Sequence, residues 1–222
     1  MKRALTIILI LIGFCAVVHS QSYPVNDAVK KVTAEIRTFN WTPQAGWFEG
    51  EVTKIVVDEY DANGNPSMST LHTRTMEVIE KTVYSQEGSI TVKTTTNRDG
   101  VHTRTARIEA AEGLVTETVR LPDGTLSHKT VSELDGEGRI RELHYFNGDG
   151  LHIFDKVFAY TDEGDIARID IFNPDGSYAA EVEIDYQSRD DQGNWLTRSE
   201  YYRHAFVGYR PRDYVTRTIE YK

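Results

Sequence analysis

The chain has 222 residues, 27% of them charged and 10% aromatic, with a formal net charge of −9. That is the composition of a folded globular protein and excludes a disordered one. If Lys2 and Arg3 leave with a leader, 23 basic residues (25 minus 2) face 34 acidic ones, which argues against nucleic acid or an anionic membrane surface as the main partner.

The N-terminus reads as that leader. Met1-Lys2-Arg3 is a basic start, ALTIILILIGFCAVV is an apolar run of 15 residues, and Val18-His19-Ser20 offers a signal-peptidase site. The expectation is a signal peptide over 1–20, cleaved after Ser20, and a secreted or periplasmic protein. The run is short for the ~20 residues of a membrane span, so no span is expected after cleavage. Cys15 follows Phe14 instead of a small residue, which disfavours a lipid anchor. The mature chain then has no cysteine, and thiol catalysis, disulfides and cysteine-based zinc sites fall away.

Segment 21–54 is read as N-terminal strands with an aromatic loop, and 55–222 as a β-repeat domain with a C-terminal closing unit. Asn26 to Phe39 fits a helix with Val29, Val32, Ile36 and Phe39 on one side, or a strand with Val32, Ala34 and Ile36 alternating; the strand is favoured by its context. FNWTPQAGWFEG gathers Trp41, Trp47 and Phe48. Beyond it, glycine turns recur in two interleaved series. Gly64, Gly88, Gly113, Gly138, Gly164 and Gly193 form the first, at steps of 24 to 29. Asp99-Gly100, Asp123-Gly124, Asp149-Gly150 and Asp175-Gly176 form the second, at steps of 24 to 26. A member of the second series is missing near position 76, within TLHTRTMEVIE. Two series locked at about 25 residues mark an internal repeat.

Asp-Gly supplies the positive φ of tight hairpin turns, and the runs between turns alternate. In SYAAEVEIDY, Tyr178, Ala180, Val182, Ile184 and Tyr186 fall on one face and Glu181, Glu183 and Asp185 on the other. Period two with β-branched and aromatic residues is a half-buried strand. The spacing leaves no room for crossover helices, so neighbours are antiparallel. The fold class expected is all-β, an antiparallel meander of roughly ten to twelve strands in a curled or wound single sheet. YYRHAFVGYRPRD reads as a longer excursion before the final strand YVTRTIEY.

The pattern of Tyr60-Asp61-Ala62-Asn63-Gly64 and Tyr160-Thr161-Asp162-Glu163-Gly164, each followed about 12 residues later by an Asp-Gly turn or its expected place, resembles the YD repeat (RHS repeat) of bacterial secreted proteins. DDQGNWLTR resembles the closing unit of small proteins of this kind. Glu109 and Leu134 stand where two further tyrosines would fall. The resemblance covers about residues 55–222 and implies a scaffold, encapsulating or binding role.

No catalytic constellation is visible. No histidine pair has an HxH or HxxxH spacing, and no GxSxG elbow occurs. His144 and His152 flank the Asn147–Gly150 turn and can face each other across a hairpin, either as a metal pair or, the favoured reading, in an ordinary strand-surface role. Asp61 to Asn65 hints at a calcium loop, but His72 occupies the place of the bidentate acid, so turn chemistry is the default. No cofactor is expected. Trp41, Trp47, Phe48 and Tyr209 are the candidate ligand-binding aromatics, with burial at the sheet's open ends as the favoured alternative; Trp195 reads as core. An outer-membrane barrel fits poorly, because neither face of HTRTARIEA is apolar. The leading expectation is a non-catalytic scaffold or interaction protein with an unidentified protein or glycan partner. A carbohydrate or cell-envelope binding protein comes second and a hydrolase last. An open sheet would have edges that a second copy of the chain can cover.

Overall fold

The computed structural model describes residues 29–204 and 208–222. The leader, its cleavage point and Cys15 lie outside them. Fourteen strands follow one another: β1 (Val29–Thr42), β2 (Gly46–Tyr60), β3 (Pro66–His72), β4 (Val78–Glu87), β5 (Ile90–Asn97), β6 (His102–Ala111) and β7 (Leu114–Arg120), then β8 (Leu126–Leu134), β9 (Ile140–Asn147), β10 (His152–Tyr160), β11 (Ile166–Phe172), β12 (Tyr178–Arg189), β13 (Trp195–His204) and β14 (Gly208–Tyr221). Each strand pairs with its neighbours in sequence, and β14 pairs back onto β1. The antiparallel meander expected from the turns is present, and the stretch open to two readings near the N-terminus is strand β1.

Two expectations need correction. The sheet is neither open nor merely curled: the ladder from Val29↔Tyr221 to Thr38↔Asp213 closes it into a barrel, which removes both edges at once. It also has more strands than the ten to twelve expected. The stretch around Trp41 and Trp47 is the tip of a β1–β2 hairpin that turns at Gly46 (φ 69°), outside both glycine series. The excursion near the end is mostly strand, split between β13 and β14.

In a closed meander, alternate turns lie at opposite ends of the barrel, so the two glycine series separate in space. The first series makes one end and the second, with the β1–β2 and β13–β14 hairpins, makes the other. Most turns share one design. Around Gly150 (φ 76°), the Gly150 N–H donates to Asn147 O, and Asn147 Oδ1 accepts from the N–H groups of Asp149 and Leu151. This is a three-residue loop with its left-handed residue at the third position, followed by a one-residue bulge. The β3–β4 turn keeps the same bonds. Met76 N–H donates to Thr73 O, and Thr73 Oγ1 accepts from Thr75 and Glu77. Met76 takes φ 65° where the series would have placed glycine.

Cross-strand register assigns the faces. Leu143, Tyr145, Phe154, Phe158, Ile169, Ile171, Val182 and Ile184 form the main buried cluster on the inner wall of β9–β12. On the outer wall, the directly paired row Glu133, Glu142, Val157, Asp170, Glu181, Arg203 crosses β8 to β13. Five of its six members are charged, which is incompatible with an apolar band in hydrocarbon.

A left-handed conformation costs an L-residue about 1–2 kcal/mol, partly offset by the chain entropy that glycine loses on folding. Met76→Gly is therefore expected to stabilise the barrel by about 0.5–1 kcal/mol, read as a higher urea midpoint with an unchanged slope. A lower midpoint would refute the strain.

Candidate functional site

The end of the barrel built from the second glycine series is apolar. Thirteen large apolar side chains stand exposed among the described residues, and eleven of them lie at this end. They come from all seven of its hairpins: Trp41, Trp47 and Phe48 from β1–β2, Met76, Val78 and Ile79 from β3–β4, and Val101 from β5–β6. Leu121, Leu151, Tyr178 and Tyr209 follow from the next four. Only Val83, in mid-strand, and Leu114, at the opposite end, lie elsewhere. The turn chemistry accounts for two of the eleven. The residue just after the left-handed glycine has its N–H tied to the Asx side chain, and in two turns that residue is Val101 or Leu151, 59% and 61% exposed.

The candidate aromatics belong to this end and are exposed, where burial had been the favoured expectation. Past Arg37 and Thr38, β1 loses β14 as a partner and pairs only with β2. The hairpin tip therefore stands off the wall, with Trp41 directly opposite Trp47 and Phe48 opposite Asn40. Tyr209 stacks on Tyr201 at 5.1 Å and donates its hydroxyl to Glu183 Oε2 at 2.9 Å. Trp195 is core as expected, under the guanidinium of Arg217 at 3.5 Å.

Although Asp99, Asp123, Asp149 and Asp175 stand in the turns of the apolar end, the other end is more densely acidic. Its turns carry Asp61, Asp135, Glu137, Glu163, Asp190 and Asp191. In the β2–β3 turn, Asp61 Oδ1 accepts from the N–H groups of Asn63 and Asn65, so the suspected calcium loop is a turn. A recess opens here between Asp165, Arg189, Trp195 and Arg217, with Arg189 paired to Asp165 at 2.7 Å.

Around the inner wall, the apolar arc of β9–β12 gives way to a polar arc on β2–β8. Arg104 donates to both oxygens of Glu80 at 3.1 and 2.8 Å, and Lys93 donates to Glu117 at 3.0 Å. Burial raises the Asp58 carboxyl to about 6 against the hydrogen bond from Ser69 and the charge of Arg217, and holds the Tyr84 phenol above its usual range. Lys156, across the lumen, is 6% exposed, and burial pushes its ammonium down to about 8. Sequence reasoning missed this arc, because charged residues on a strand read as solvent-facing until closure shows which face turns inward.

On the outer wall, the histidine pair flanking the Asn147–Gly150 turn does come together. Asp155 Oδ1 lies 2.7 Å from His144 Nδ1 and 2.6 Å from His152 Nε2. His144 is directly opposite Asp155, and the extra residue between His152 and Phe154 turns His152 to the same face.

No known protein family matches the sequence, the YD-repeat family included, and no curated protein matches either. Among solved structures, a porin-like protein from Bacteroides uniformis is similar at 13% identity over 86% of this chain and 98% of its own, with a TM-score of 0.49. A porin-like protein from Bacteroides vulgatus aligns over 87% of this chain and 98% of its own at 10% identity and a TM-score of 0.39. A LolA superfamily protein from Nitrosomonas europaea aligns over 87% and 86% at 9% identity, with a TM-score of 0.26. The YD-repeat reading is thus corrected. Its motifs report hairpin-turn chemistry, which any antiparallel meander needs, and the units close into a barrel.

The inner wall yields a pH test. Between pH 8 and the unfolded lysine value of 10.5, the unfolded chain holds the proton that folded Lys156 has released, so stability rises with pH. Above about pH 10 the raised tyrosines act in the opposite sense. Lys156→Met is expected to stabilise the protein at pH 7 by on the order of 3 kcal/mol. It should also remove the rise between pH 8 and 10 in denaturant midpoints. A wild-type midpoint that falls steadily over that interval would contradict the burial of this ammonium.

Proposed function

We propose that the protein is a non-catalytic binding protein of the bacterial cell envelope that engages lipid through the apolar end of its barrel. The observation that carries the reading is the concentration of eleven exposed apolar side chains at one end. A concentration of exposed apolar side chains of this size marks an interaction site. Here it is spread over the tips of successive hairpins around a rim, a shape that suits a flat, yielding apolar phase better than a narrow groove would.

The turns at this end also carry Asp99, Asp123, Asp149 and Asp175, so the apolar tips alternate with carboxylates, while the opposite end is more densely acidic. One further observation supports the reading. Met76 keeps a strained backbone at a place where every second-series turn uses glycine, and its side chain is one of the rim members, 54% exposed. Strain kept at an exposed position points to a use for the side chain. Fully burying a side chain of this size is worth roughly 1.5–3 kcal/mol. Half-burying five of them supplies roughly 4–7 kcal/mol before the costs of association.

The net negative charge of the chain means that anionic headgroups add nothing. Binding is expected to zwitterionic phosphatidylcholine vesicles, to persist in high salt, and to weaken as phosphatidylglycerol is mixed in. In flotation assays, Trp41→Ala with Trp47→Ala should weaken binding more than tenfold, while Leu114→Ser at the other end leaves it unchanged. Met76→Gly should weaken it severalfold while raising stability. The reading fails if the wild type does not float with vesicles, or if both ends respond alike. A tryptophan fluorescence shift with soluble glycans and none with vesicles would replace lipid with carbohydrate as the ligand.

A further inference from the structure

The geometry points to a divalent transition-metal site on the outer wall of the β9–β10 hairpin, with His144 Nδ1, His152 Nε2 and the Asp155 carboxylate as its ligands. It is independent of the lipid-binding reading, because it rests on a different set of side chains.

The three ligand atoms lie within 4.8 Å of one another. Both imidazoles already converge on one oxygen, Asp155 Oδ1, so a dication seated between the rings replaces the protons that hold this node together. Tetrahedral bonds of about 2.0–2.2 Å set ligand atoms roughly 3.3 Å apart. The two nitrogen–oxygen separations must therefore open by about 0.6 Å, a movement within reach of partly exposed side chains on a strand surface. The imidazole rings stand edge to face, 6.0 Å apart and 63° inclined, so their nitrogens converge without stacking.

The surroundings are those of a metal site. The far nitrogen of His144, Nε2, lies 3.7 Å from Glu133 and 4.0 Å from Glu142. A carboxylate behind a metal-bound imidazole fixes its tautomer and raises its basicity. Arg141 pairs with Glu133 and holds it in place. Asp155, Glu133 and Glu142 carry three negative charges against two positive ones, Arg141 and Lys129, the latter opposite Phe146 on the same face, leaving a local excess of negative charge for a dication. Two nitrogens and one oxygen, without sulfur, favour Zn²⁺, Cu²⁺ or Ni²⁺ over calcium or magnesium. Side-chain exposures of 27% for His144, 31% for His152 and 17% for Asp155 leave the fourth position to water or to a ligand of a partner.

The experiment uses untagged protein stripped with a chelator and titrated with Zn²⁺ against a chromophoric chelator. One equivalent should bind, and His144→Ala, His152→Ala and Asp155→Asn should each weaken it more than tenfold. His102→Asn, on β6, should leave it unchanged. Should a variant fail to fold, diethylpyrocarbonate footprinting of the wild type decides instead. Zn²⁺ is expected to protect His144 and His152 and leave His102 and His72 reactive. Substoichiometric binding, unaltered affinity in the three ligand variants, or equal protection of all four histidines would overturn the site.

Discussion

The backbone ladder between the first and last strands is the constraint on which the rest of the molecule depends. Fourteen strands in sequence would otherwise end in two bare edges, each a row of unpaired amides and carbonyls. The pairing of β1 with β14 satisfies both rows and turns one face of the sheet permanently inward. Inward-facing charges must then find partners in a confined space, as Glu80 does with Arg104 and Lys93 with Glu117. Closure also sends alternate hairpins to opposite ends, so a sequence written in two interleaved registers becomes a body with most of its exposed apolar side chains at one end and its densest acidic turns at the other.

Much of this was legible in the chain, and the parts that were not share a cause. Hairpin turns are local, so Gly64 to Gly193 and the four Asp-Gly pairs marked ten of the turns before any coordinates. The gap near position 76 was visible too, but a methionine in a left-handed conformation carries no signature of its own. Barrel closure depends on strand tilt and stagger summed around the sheet, and no short stretch encodes that sum. For the same reason the inner charges on β4 to β7 looked like surface residues. The YD-like spacing of Tyr60 and Tyr160 was real as turn chemistry and misleading as ancestry.

The candidate sites divide along the same line. Trp41, Trp47, Phe48 and Tyr209 could be picked out by type, yet the first three are exposed because β1 and β2 outrun their neighbours, and Tyr209 because β14 reaches past its pairing with β1, which is a property of register. His144 and His152 could be paired by counting outward from the Asn147–Gly150 turn. Asp155 could not, because a single bulged residue in β10 decides which face His152 shares with it. Bulges re-aim side chains at the ends of strands. In this hairpin the Asn147–Gly150 turn sets Leu151 at the rim, and the bulge just after it gathers three potential ligands a few residues below.

The seam has a consequence for how the molecule is made. A ribosome delivers β1 first and β14 last, so the N-terminal edge must wait for the whole intervening length of chain before its partner exists. Contacts that distant in sequence are slow to form, and until they do the half-built sheet offers its edge to any neighbouring chain. Biogenesis, more than the finished barrel, is where this architecture is vulnerable, and a chaperone that shields an exposed β1 during assembly would meet that need.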